Sequence, residues 1–120
     1  MAMEPTDFGG LVPIDGYGPG FFRVRGQVHR GPLLMTPWSV EGWAGFEDTA
    51  PLLALAGRVD VLFLGMGSEI APMPAPLRQA LQTAGLMADA MATPTAARTY
   101  NVLLSEGRRV AAALLPVPAE

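Results

Sequence analysis

Cysteine is absent from the 120-residue chain. That excludes disulfides, thiolate nucleophiles and thiolate metal sites together, and it leaves the redox compartment open. Lysine is absent as well, all eight basic residues being arginine; beside the many Ala, Gly and Pro residues this fits a GC-rich bacterial genome. Histidine occurs once, as His29, so a two-histidine metal site cannot form. Carboxylates and His29 are the only side chains left to hold a metal, and no metal and no cofactor is expected. Positive charge is in deficit, the net charge being −3, which disfavours a general binder of phosphate backbones, and no nucleic-acid partner is expected. Long apolar runs are missing too. None approaches the roughly 20 residues of a membrane span, and the candidate over residues 59–64 has the length of a strand. The first ten residues contain Glu4 and Asp7 and lack both the basic-then-apolar order of a secretory signal and the arginines of a transit peptide. A cytoplasmic location is the expectation.

Half of the residues are hydrophobic and only 16% are charged, a balance that lets the chain bury a core. Its length fits one domain, which should bury roughly two thirds of the surface the unfolded chain exposes. The organisation expected is a flexible leader over residues 1–10 and a single α/β domain over residues 11–120.

Turn formers crowd residues 13–20, which read as loop. Phe22 and Val24 alternate with Arg23 and Arg25 on a half-buried strand, Gly26 marks a bulge or bend before Gln27, Val28 and His29, and a second short strand at residues 33–35 is expected to pair with it antiparallel. Residues 38–46 read as irregular. A short helix is expected over residues 50–56, with Asp48 or Thr49 as cap, Pro51 in the first turn and Gly57 at its end. The near-continuous apolar run 59–64 suggests a central strand covered on both faces. A helix starting near Pro76 and stopped by Gly85, a strand over 86–91, a helix from Pro94 to Glu106 capped by Thr93, and a last strand over 110–115 complete the pass. The order predicts an α/β fold with a mixed sheet, in which antiparallel N-terminal strands precede alternating helices and strands.

Several residues invite a chemical reading, and each has a structural one beside it. Gly65, Met66, Gly67 and Ser68 follow the probable central strand, where open α/β sheets bind ligands and where glycines let amides approach an anion. The spacing matches neither a dinucleotide fingerprint nor a P-loop, and a tight strand exit needing positive φ explains the same glycines. Arg98 and Asn101 share a helix face; Arg98 can clamp a carboxylate or phosphate, or close an ion pair to Glu69 or Asp89. His29 has no nucleophile near it in sequence. Ser68 lacks the flanking pattern of a nucleophile elbow, so no catalytic residue is assigned. Trp38, Trp43 and Phe46 form either a docking surface or the lid of the core.

Three segments together resemble a known family: Ile14-Asp15-Gly16-Tyr17-Gly18 with Phe22 downstream, Leu62-Phe63-Leu64-Gly65-Met66-Gly67, and residues 95–114, TAARTYNVLLSEGRRVAAAL. The last is the most specific, and the resemblance covers almost the whole chain after the leader. The family includes mitochondrial NADH dehydrogenase (complex I) assembly factor 3, an adipogenesis-associated animal protein, and archaeal and bacterial proteins of unknown function. The resemblance implies a three-layer α/β fold with a mixed central β-sheet. It also implies a role in building the respiratory NADH:quinone oxidoreductase by binding partners, complex I subunits or another assembly factor, with no established reaction. Bacterial relatives would work in the cytoplasm, near the inner membrane. The leading expectation is therefore a non-catalytic assembly or interaction protein, with Arg98, Tyr100, Trp38 and Trp43 as partner-binding residues. The alternative is a small-molecule or anion binder, or an enzyme, using Gly65, Met66, Gly67, Ser68, Arg98 and Asn101.

Overall fold

The computed structural model describes residues 11–118; the leader expected over residues 1–10 lies outside the described residues. Strands β1 (Gly16–Gly18), β2 (Phe21–Val24) and β3 (Gln27–Arg30) form a small antiparallel sheet in that order. Val24 pairs with Gln27, so Arg25 and Gly26 alone make the turn. Their φ angles of 52° and 76° give the two-residue hairpin geometry that matches the twist of the flanking strands. Gly26 is thus a reversal of the chain rather than a bend within one strand. The expected pairing of this region with residues 33–35 does not form, because the hairpin closes on itself.

The larger sheet has five strands: β4 (Leu33–Thr36), β5 (Ser39–Gly42), β6 (Val61–Gly65), β7 (Met87–Met91) and β8 (Val110–Leu114), arranged β5-β4-β8-β6-β7. β4 runs antiparallel to β5 and β8, while β8, β6 and β7 are mutually parallel neighbours, so the sheet is mixed as expected. β1 and β5 arise where the sequence reads as loop. Each is short and flanked by turn residues, and each pairs with the strand next to it in sequence.

Helices α1 (Ala50–Leu53), α2 (Ala75–Ala84) and α3 (Thr93–Ser105) complete the fold. α1 is shorter than expected: the chain turns after Leu53, and Ala56 bridges Val59. α2 carries Pro76 in its first turn, where no amide bond is lost. It ends at Gly85, whose φ is 78°, with the Leu86 amide donating to the Leu81 carbonyl at 3.0 Å, a common glycine stop.

Period-two alternation divides the core. Leu62 and Leu64 of β6, Ala111 and Ala113 of β8 and Leu34 of β4 pack with Leu52, Leu77 and Leu81 of α1 and α2. Phe63, Ala112, Leu114, Leu33 and Met35 face the other way, onto Ala96, Tyr100 and Leu104 of α3 and onto Phe22 and Val24 of β2. The result is three layers: α1 and α2, the five-stranded sheet, and α3 beside the small sheet. β6 and β8 are covered on both faces, which is why they read as unbroken apolar runs.

Candidate functional site

The glycine loop after β6 is explained by packing. A Cβ on Gly65 would meet Leu114 Cδ2 and Thr93 Oγ1, each at 2.7 Å, so only glycine fits between the sheet and the start of α3. Gly67 has open space around it but a φ of 101°, which side-chain-bearing residues rarely adopt. Two of the loop amides are already used: Met66 N–H donates to the Met91 carbonyl at 2.8 Å and Gly67 N–H to Thr93 Oγ1 at 2.9 Å. Thr93 in turn donates to the Leu115 carbonyl at 2.6 Å, and its own amide donates to the Gly67 carbonyl. Thr93 is therefore no helix cap; α3 has no side-chain cap bond. It is a fully buried knot that ties the end of β6 to the end of β8.

Tyr100 and Asn101 have related duties. The Tyr100 hydroxyl lies 2.8 Å from both the Val12 and the Thr36 carbonyl oxygens, sharing one proton between two acceptors. Burial pushes its phenol well above the ordinary value, so it remains a neutral donor at physiological pH. Asn101 meets Ile14 as a strand would: its Oδ1 accepts from Ile14 N–H at 2.8 Å and its Nδ2 donates to the Ile14 carbonyl at 2.7 Å. Together they fasten residues 12–14 to α3.

That fastening builds a shallow groove of about 240 Å³ along α3, lined by Asp15 and Tyr17 on one side and by Pro94, Arg98, Asn101 and Val102 on the other. Arg98 is exposed and makes no salt bridge among the described residues; neither Glu69 nor Asp89 pairs with it. Tyr17 and Val102 are 45% and 49% exposed, so apolar surface flanks the cation. The structure thus brings Arg98 and Asn101 into one concavity, but its lining includes none of Gly65, Met66, Gly67 or Ser68. Tyr17 and Val102 are not among the site residues that the sequence suggests, although Val102 shares a helix face with Arg98. A lone apolar residue at an i+4 spacing from an arginine, and an aromatic in a glycine-rich stretch, look ordinary until the fold sets them side by side.

The two tryptophans separate. Trp43 is 4% exposed, packs edge-on against Phe46 with ring centroids 5.6 Å apart and donates from Nε1 to the Asp48 carbonyl at 3.0 Å. It is the lid of the α1–α2 core and, like the fully buried Tyr100, presents no surface to a partner. Trp38, at the tip of the β4–β5 hairpin, is 48% exposed, with the Arg58 guanidinium 4.8 Å from its ring centroid.

Among the described residues no helix is long and apolar enough to cross a membrane. The family model for a protein of unknown function, DUF498/DUF598, matches residues 14–115. An uncharacterized protein of Rhodobacter capsulatus is 58% identical over 118 residues, covering 98% of this chain and 95% of that one. The rat NADH dehydrogenase [ubiquinone] 1 alpha subcomplex assembly factor 3 is 29% identical over 127 residues, spanning all of this chain and 69% of the rat protein. A crystal structure described as an outer membrane protein from Bartonella henselae superimposes with a TM-score of 0.82 at 38% identity, over 92% of this chain and 99% of that one. With 102 consecutive positions spanned by the family model (14 through 115), the chain belongs to the DUF498/DUF598 family.

Proposed function

We propose that this chain works by binding protein partners, as an assembly factor in the biogenesis of the respiratory NADH:quinone oxidoreductase, with complex I subunits or another assembly factor as its partners. The observation that carries the setting is the similarity, along the whole chain, to a protein named as a complex I assembly factor. In this reading the protein operates in the cytoplasm, close to the inner membrane where that complex is built.

The groove of Arg98 supports the mode of action. An unpaired arginine between a half-exposed tyrosine and a half-exposed valine has the composition of an interface centre, where aromatic residues and arginine are enriched. Asn101 and Tyr100 hold the wall opposite Arg98 in place from within, so the surface is preformed and loses little entropy on binding.

The test is pairwise binding of the purified chain to individually purified complex I subunits and assembly intermediates. Stoichiometric binding to one of them is expected, weakened at least about tenfold by Arg98→Ala, the loss of roughly one charge-assisted contact. Failure of every subunit and intermediate to bind would contradict the reading. So would turnover of a metabolite by the purified chain that Arg98→Ala abolishes.

A further inference from the structure

Trp38 is a large aromatic held out into solvent by a rigid frame. The Thr36–Ser39 pairing leaves only Pro37 and Trp38 in the turn. Trp38 N–H donates to Thr36 Oγ1 at 3.3 Å, and the Thr36 hydroxyl is also bonded to Ser39 Oγ at 2.7 Å. The Pro37 carbonyl accepts from Val12 N–H at 3.0 Å, and the Thr36 carbonyl accepts from Tyr100. The indole forms one wall of a cavity of about 280 Å³ that Leu11, Pro37, Arg58 and Arg109 also line.

The charges of this cavity are unbalanced. Arg109 shares its charge with Asp60, 2.9 Å away. Arg58 makes no salt bridge among the described residues, and none of the described residues that line the cavity carries a carboxylate. The Arg58 guanidinium carbon lies 4.8 Å from the Trp38 ring centroid, within cation–π reach, so the aromatic ring and a group able to bind a carboxylate bidentately stand side by side. A lining of Leu11, Pro37 and Trp38 beside two guanidinium groups is complementary to a molecule with an apolar body and one anionic end. The volume admits a single ring.

We propose that the Trp38–Arg58 cavity binds a small aromatic carboxylic acid, its ring against Trp38, Leu11 and Pro37 and its carboxylate on Arg58, with Arg109 adding to the positive field. The cavity is separate from the Arg98 groove, and the inference stands independently of any role in complex I assembly.

Titration of the ¹⁵N-labelled full chain with phenylacetate tests it. The indole N–H resonance of Trp38 should shift saturably, with Kd of about 1 mM for a ligand this small, while that of buried Trp43 stays in place. Acetate and 2-phenylethanol, which keep only one half of the chemistry, should each bind at least about tenfold more weakly, as should phenylacetate to Arg58→Ala. Arg58 is exposed, so this variant should retain a native spectrum; Trp38→Leu, which removes the wall and keeps the arginine, should lose binding in the same way, read there from the backbone amides of Leu11, Ser39 and Arg58. Absence of saturation, equal response to 2-phenylethanol, or undiminished binding in both variants would overturn the proposal. Preference by more than about tenfold for the tripeptide Ala-Ala-Phe over phenylacetate would overturn it in favour of a peptide terminus.

Discussion

The two faces of the five-stranded sheet are held by different physics. On the face of α1 and α2 the packing is apolar, between Leu34, Leu62, Leu64, Leu52, Leu77 and Leu81, apart from the bond from Trp43 Nε1 to the Asp48 carbonyl at the rim. On the face of α3 the core is equally buried, yet it is laced by side-chain hydrogen bonds from Tyr100 and Asn101 to backbone at Val12, Ile14 and Thr36. The difference follows from what each face must cover. α1 and α2 make local backbone hydrogen bonds within and beside their own turns, and the side chains that dock them on the sheet are apolar. The α3 face also receives residues 11–15, which form no strand or helix, and their buried amides and carbonyls need partners. Two polar residues on α3 supply them. The same residues shape the Arg98 groove, so the polar face is also the one with a candidate partner surface.

If this contrast is right, the apolar face should respond to lost volume and the polar face to a single lost oxygen. The largest effect is expected for Leu64→Ala, which removes a fully buried side chain from β6 and should cost about 3 kcal/mol, whereas Leu64→Met should cost less than about 1.5 kcal/mol because volume is conserved. Urea unfolding of the three proteins measures this; a similar loss for both variants would show that the face needs a specific shape rather than bulk.

Tyr100→Phe comes next. It preserves ring volume and removes the donor shared by two buried carbonyls, so about 2 kcal/mol of destabilisation is expected. The variant also carries a pH signature. The native phenol has its pKa raised by burial, so the unfolded chain ionises first and binds fewer protons above its pKa of about 10. Stability from this group is therefore complete below about pH 10 and is lost as pH rises from there toward the native pKa. Wild-type stability should decline over that alkaline range more steeply than that of Tyr100→Phe. Parallel profiles would mean that the hydroxyl is solvated in solution.

Much of the architecture is legible in the sequence wherever the signal is local. The apolar run of β6 announces an interior strand, and the Gly85 stop of α2 and the Thr93-Pro94 start of α3 fall within a residue of their observed places. The Arg25-Gly26 hairpin is legible in principle, since two residues ending in glycine between alternating strands is a turn signal, but with four residues in each of β2 and β3 the alternation is too short to tell a reversal from a bend. The site was less legible. Thr93 looks like a helix cap because its neighbours suggest one, but its partners lie 26 and 22 residues away. Tyr100 reaches across 88 and 64 residues. No local pattern marks a hydroxyl whose acceptors are supplied by other layers of the fold, and the same is true of the exposed Tyr17, which the fold brings beside Arg98 from another element.

The smallest effect on stability is expected for Arg98→Ala. The side chain is exposed and makes no salt bridge among the described residues, so the change should stay within about 0.5 kcal/mol and shift Tm by no more than a few degrees. A loss as large as that of Tyr100→Phe would make Arg98 part of the scaffold and remove it as a free recognition group.

The most direct test of the proposed role is the amount of assembled NADH:quinone oxidoreductase in membranes of a strain lacking this chain, complemented with either the wild type or Arg98→Ala at matched abundance. The account predicts that deletion depletes the assembled complex and its activity, that the wild type restores both, and that Arg98→Ala, though folded, restores them poorly. Unchanged complex and activity in the deletion strain would contradict it.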